Sequence, residues 1–296
     1  MKVHPFIEAE KAAGHGVQRA CCLLEVSRAA YYQRRKGVLS PRAAVDAALS
    51  VRIASIHRES EGTYGSPRVH QVLRRQDAGC GKRRVARLMR AAGLEGRRKK
   101  RWRTTTIADP AAQAARDLIG RDFAARPGTD RRYAGDITYI ATWQGWAYLA
   151  TVIDLSSRKV VGWALADHMR TELVEDALAM AFTQRRPAAG VIFHSDRGCQ
   201  YTSKNYAALA QANGVILSVS RKGQCWDNAV AESFFATIKR ELISDRAWPT
   251  RAGLHRAVFD YIEGWYNTRR LHSSLGYLSP AEYEATIQQH AAHQAA

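Results

Sequence analysis

Apolar residues recur at helical spacing through the first third of the chain. Val17, Ala20, Cys21 and Leu24 fall on one helical face, residues 25–27 read as a turn, and Ser27 is placed to cap a second helix starting near Arg28. This pattern fits a helix-turn-helix and a plain helical hairpin equally well. From Pro41 onward the spacing predicts helices over about 43–58, 67–77 and 82–92, with Ser66 as the cap of the middle one and Pro67 at its first helical position. The third carries an apolar stripe of Val85, Leu88 and Met89 beside Lys82, Arg83, Arg84, Arg87 and Arg90.

The period changes after residue 130. Segments 133–141, 146–155 and 159–165 are rich in aromatic and β-branched residues and are separated by W-Q-G and S-S-R turns, which predicts three successive strands. A helix over about 171–185, a strand over 190–194, a helix over 203–213, a strand over 215–219 and a helix over 227–242 follow. Strands and helices alternating in this way predict an α/β domain behind an all-helical front end. Five segments result: a helical piece at 1–40, a basic helical module at 41–103, a linker at 104–130, an α/β core at 131–245 and a helical extension at 246–296, of which the resemblance given below implies that the second is helix-turn-helix-like and the fourth catalytic.

Charge sharpens this division. The net charge is +18, and residues 1–130 hold 27 Lys and Arg against 12 Asp and Glu. Between Lys82 and Arg103 there are 11 basic residues against one acid, including Arg97, Arg98, Lys99, Lys100, Arg101 and Arg103. Such a stretch is suited to a polyanion, because neutralising phosphates releases counterions. The expected partner is double-stranded DNA. No apolar run is long enough to span a bilayer, and acidic residues stand where a signal peptide would have its hydrophobic segment, so a cytoplasmic, nucleoid-associated bacterial protein is expected. The five cysteines are odd in number and form no C-x-x-C pair, which argues against a disulfide framework and a zinc knuckle.

Three carboxylates carry the candidate chemistry. Asp136 lies in Y-A-G-D-I-T-Y-I, Asp196 in F-H-S-D-R-G-C-Q-Y and Glu232 in D-N-A-V-A-E-S-F-F, with 35 residues between the last two. Each is expected beside apolar positions, where a carboxylate needs a cation or hydrogen-bond donors. Three anionic oxygen donors suit a hard divalent ion, Mg²⁺ above all with Mn²⁺ substituting, and two such ions would serve in-line displacement at phosphorus. Lys239 follows Glu232 by seven residues, close to two helical turns, and Asn228 precedes it by one turn, so the three share a face. Asp154, in V-I-D-L-S-S-R, is read as a structural turn cap toward Arg158, and His194 as a core histidine.

These motifs resemble the DDE transposases and retroviral integrases, and most closely the OrfB-type transposases of the bacterial family named for insertion sequence three. The resemblance runs from V-S-R-A-A-Y-Y to N-T-R-R-L-H-S-S-L-G-Y-L-S-P and includes E-G-T-Y-G-S-P-R-V. It implies a ribonuclease H-like core whose Asp136, Asp196 and Glu232 are catalytic metal ligands, a role for Lys239 on the element end, DNA cleavage and strand transfer by a 3'-hydroxyl, and self-association in a synaptic complex. The loop at 220–228, with Arg221 and Lys222, suits a clamp on terminal bases. Arg269, Arg270 and His272 could meet DNA or another subunit, or Tyr266, Leu275 and Tyr277 could simply pack on the core. Tyr133 stands where the family commonly has Trp. The family's helix-turn-helix and leucine zipper, joined by frameshifting from the preceding frame, are absent from this chain, so action with or fused to that product is expected. A regulatory or decayed DNA-binding derivative, and a nuclease of related fold such as a junction resolvase, are the alternatives.

Overall fold

The computed structural model describes residues 3–37, 39–97, 117–120, 122, 128–196, 198–219 and 228–295. The chain forms two compact units, Met1–Arg97 and Arg98–Ala296. Most of the linker at 104–130 lies outside the described residues.

In the first unit, α1 (Val3–Ala12), α2 (Val17–Leu23) and α3 (Arg28–Arg35) enclose Ile7, Ala20, Cys21 and Tyr31. Ser27 caps α3 as its sequence suggests, its Oγ accepting from the Ala30 amide at 3.4 Å. Helix α1 had no counterpart in the sequence pattern; its Pro5 falls in the first turn, where the missing N–H costs nothing. The trio α4 (Pro41–Glu59), α5 (Ser66–Arg75) and α6 (Lys82–Ala91) buries Ile53, Ile56, Val69, Leu73, Val85 and Met89. Ser66 is not the cap of α5. Gly65 occupies that place without a side-chain bond, and Ser66 opens the helix.

The second unit is built on one mixed sheet. Strands β1 (Arg132–Thr142), β2 (Gly145–Asp154) and β3 (Val160–Ala166) are antiparallel, while β4 (Ile192–Ser195) pairs parallel with β1 and β5 (Ile216–Val219) parallel with β4, giving the order β3-β2-β1-β4-β5. Helices α7 (Thr171–Arg185) and α8 (Lys204–Ala212) connect the later strands, and α9 (Ala229–Ile238), α10 (Arg251–Phe259) and α11 (Pro280–Ala295) follow. This is the ribonuclease H-like order of an integrase catalytic core.

Strand alternation sorts side chains between two cores. Ile140, Leu149 and Ile153 meet Phe234, Phe235 and Ile238 of α9 together with Leu254 and Val258 of α10. Tyr133, Ala150 and Val152 meet Leu173, Val174, Ala177 and Ala181 of α7. Gly162 permits the closest approach on that side, since a Cβ there would stand 2.2 Å from the Ala177 carbonyl oxygen.

The α9 helix does not run unbroken to residue 242. It passes into a π-helical turn, Lys239–Ile243, and α10 does the same over Asp260–Tyr266. Glu241 of the first turn accepts from Tyr261 Oη of the second at 2.9 Å and from Arg270 Nε and Nη2 at 2.8 and 2.7 Å. Glu241 and Arg270 are both nearly inaccessible, and Arg269 beside them is exposed. Arg270 is therefore a buried structural partner and not a residue that meets DNA.

Candidate active site

Asp136 sits midway along β1, directly opposite Thr151 of β2. Its neighbour Gly135 is required by close packing: a Cβ there would lie 2.2 Å from Phe193 Cζ. Phe193 in turn packs with Tyr201 and Tyr206, whose ring centroids lie 5.9 and 5.7 Å away, so β4 and the segment after it rest on an aromatic floor. That floor supports Asp196, which emerges at the end of β4 and accepts from the Gly198 amide at 3.0 Å. Glu232 lies in the first turn of α9. Asn228, the residue before that helix, donates from Nδ2 to the Gly135 carbonyl at 3.0 Å and so ties the start of α9 to β1 next to Asp136.

Asp136 feels the charges of Asp196, Glu232 and Lys239. Burial pushes the Asp136 carboxyl up to about 8, the negative charges of Asp196 and Glu232 push the same way, and the Ile137 amide and Lys239 oppose them. Asp196 and Glu232 are raised as well, in both cases chiefly by lost hydration. Lys239 is lowered by burial, and Asp136 pulls it back up. Two buried polar atoms flank the acids without a hydrogen-bond partner among the described residues: Thr151 Oγ1, across the sheet from Asp136, and Asn228 Oδ1. Asp196 and Glu232 are exposed. Among the described residues, no three His, Cys, Asp or Glu side chains stand close enough together to ligate one ion.

The remaining expectations fall out unevenly. Asp154 is fully buried and accepts from the amides of Asp130, Ser156 and Ser157 at 2.6, 2.7 and 3.0 Å, which makes it a turn cap. His194 is fully buried, with Nδ1 2.9 Å from Ser218 Oγ. In the basic module Arg83 is exposed, whereas Arg84 Nε and Arg87 Nη2 each lie 2.6 Å from a different oxygen of Asp46 on α4. Asp46 thereby holds two of the expected DNA-facing cations. Arg97 is half-buried, and Arg98, Lys99, Lys100, Arg101, Arg103, Arg221 and Lys222 lie outside the described residues.

Two features of the site had no sequence signal. Thr151 is set beside Asp136 by strand register alone. Tyr139 carries Lys239 Nζ over its ring, 5.3 Å from the centroid.

Models of the integrase core domain match residues 126–225 and 213–280, and a model of an HTH-like domain matches residues 44–102. With the five-stranded sheet, these define an integrase-core protein preceded by an HTH-like domain. The transposase for insertion sequence element IS904 of Lactococcus lactis subsp. lactis is 40% identical over 237 residues, 80% of this chain and 93% of its own length. Transposase InsF for insertion sequence IS3A of Escherichia coli K12 is 37% identical over 282 residues, 94% of this chain and 97% of its own. The chain belongs to the IS3 family of insertion-sequence transposases. A weaker likeness links it to the simian T-cell lymphotropic virus intasome in complex with PP2A regulatory subunit B56 gamma, at TM-score 0.42 and 15% identity over 74% of this chain and 70% of that one. Among the described residues no helix is long and apolar enough to cross a membrane.

Proposed function

We propose that this chain is a DDE-type polynucleotidyl transferase that nicks the ends of an insertion element and joins the freed 3'-hydroxyl to a second phosphodiester. The observation that carries this reading is the Asp136 carboxyl, pushed up to about 8 by burial and by the charges of Asp196 and Glu232. Carboxylates drawn together from strand, strand end and helix repel one another, and that repulsion is what a divalent cation relieves.

Asp136, Asp196 and Glu232 would hold Mg²⁺ or Mn²⁺, for which three hard oxygen donors are the appropriate set. Such ions, when bound, activate an attacking oxygen and stabilise the leaving one. Asp196 and Glu232 are exposed, so their side chains have room to change rotamer on binding an ion. Thr151 Oγ1 and Asn228 Oδ1 offer buried hydrogen-bonding positions beside the acids for water or a substrate oxygen. Lys239 supplies a cation next to Asp136 for a DNA phosphate. The basic HTH-like domain would fix the duplex, with Arg83 and the cations of 97–103 on phosphates and the loop at 220–228 on terminal bases. The partners are double-stranded DNA of the element ends and target, further copies of this chain in a synaptic complex, and the product of the upstream frame, in the cytoplasm at the nucleoid.

The test is nicking and joining on a supercoiled plasmid carrying the element ends, with Mg²⁺, by the native chain and by Glu232→Gln. The substitution removes a ligand charge and leaves the basic domain intact. Loss of both reactions by at least about a hundredfold, with gel-shift affinity within about twofold, is expected. Strand transfer at native rates by Glu232→Gln would remove Glu232 from the site.

A further inference from the structure

Large aromatic side chains are concentrated in the open on the β1–β2 hairpin: Tyr139 is 60% exposed, Trp143 77% and Trp146 51%. Tyr139 and Trp146 stand on the same face of the hairpin in adjacent strands, with ring centroids 5.2 Å apart and planes at 89°. The hairpin is firmly held. Trp143 donates its amide to the Trp248 carbonyl at 3.0 Å, and Arg251 donates its amide to Gln144 Oε1 at 2.9 Å and its Nε to the Trp146 carbonyl at 3.1 Å. Exposed rings on a braced hairpin are a preorganised surface, which reduces the ordering cost of binding.

Position and charge identify what the surface fits. Tyr139 follows Asp136 by three residues on β1, about 10 Å along the strand, and the odd offset puts its ring on the other face of the sheet. Among the described residues β1 pairs with β4 only through Arg132–Ala134, Asn228 takes the next carbonyl, that of Gly135, and no strand pairs with this edge further along. Lys239 crosses this edge: its charge acts on Asp136, and its Nζ lies over the Tyr139 ring. A nucleic-acid strand turning over this edge meets the acids on one face, a cation suited to a phosphate where Lys239 crosses, and two rings suited to a base on the other face. Aromatic side chains beside a cation are how proteins bind unpaired nucleotides with little sequence preference.

We propose that Tyr139 and Trp146 form a stacking platform for an unpaired nucleotide of the substrate strand next to the scissile phosphate. The proposal rests on the DNA-cleaving reading given above. It places a base-binding subsite on the hairpin.

The test compares two fluorescent duplexes of the same sequence, one blunt and one with three unpaired nucleotides at the 3' end. The full-length native chain should bind the frayed duplex more tightly. Tyr139→Ala with Trp146→Ala should lose about tenfold on the frayed duplex and less than about twofold on the blunt one. Tyr139→Phe with Trp146→Phe, which keeps both rings, should retain the preference. In the native chain, 5-iododeoxyuridine at the unpaired positions should photocross-link to Tyr139 or Trp146, a readout that needs no variant to fold. Equal loss on both duplexes, or cross-links confined to other segments, would overturn the platform. So would an unchanged preference accompanied by a shift in sedimentation, which would make the hairpin an interface between copies of the chain. Glu232→Gln should keep the preference while losing nicking, so failure of the platform and failure of the cleavage reading give separate signatures.

Discussion

Glu241 and Arg270 are 3% exposed each, and their bidentate pair is closed on one side by the Tyr261 hydroxyl and on another by the Tyr266 ring, 5.6 Å from the guanidinium. Breaking a buried pair from one end strands the other charge, so Arg270→Ala should destabilise the chain by about 3–5 kcal/mol in urea unfolding. Arg269→Ala, one residue away and exposed, should change stability by less than about 0.5 kcal/mol. Replacing both partners with apolar residues, Arg270→Met with Glu241→Leu, should recover most of the loss. None of this is visible in the sequence. R-R-L-H shows two adjacent cations, and only the fold decides which of them turns inward. The three candidate acids could be singled out because each sits in its own motif beside apolar residues. Thr151 and Tyr139 could not, because strand pairing places the first and the course of Lys239 defines the second.

At the scale of elements, hydrophobic periodicity was a good guide wherever one face is buried. Helix α7 and the first three strands fall within a residue or so of their expected bounds, because alternation and the 3.6-residue repeat are direct imprints of burial. The π turns after α9 and α10 left no such imprint, since widening one turn shifts the phase of the next residues without altering composition. Gly162 shows how tightly two correctly anticipated elements are fitted. With a Cβ 2.2 Å from the Ala177 carbonyl and 2.8 Å from Ala181 Cβ, Gly162→Ala must push β3 away from α7. Thermal unfolding should report a loss of about 1–3 kcal/mol, the usual cost of overpacking. An unchanged melting temperature would mean that β3 yields freely, through the register shift beside Gly162 that interrupts its pairing with β2.

Across the whole molecule, charge was the most legible property: most of the excess of cations lies in the HTH-like domain and the helices before it, and little of it in the sequence of the sheet that carries the acids. Replacing Arg97, Arg98, Lys99, Lys100 and Arg101 with Gln should weaken binding to unrelated duplexes alike. The slope of log affinity against log salt should shrink by about 0.9 for each phosphate that is no longer neutralised. A slope equal to the native one would place the DNA path elsewhere. Charge could not reveal how distant segments are joined inside the core. Arg185 bridges Asp130 and Glu284 at 2.7 and 2.9 Å, and Ser157 donates to Glu284 at 2.9 Å across 127 residues of sequence.

That long reach gives synthesis a part in timing. Asn228 fastens the start of α9 to β1 across 93 residues. At about 5–20 residues per second, roughly 5–20 s separate the appearance of Asp136 from that of Glu232 during translation. Throughout that interval the growing polypeptide already carries its complete HTH-like domain while the third candidate acid has yet to be made, so the module suited to a polyanion is in place before the proposed cutting site is.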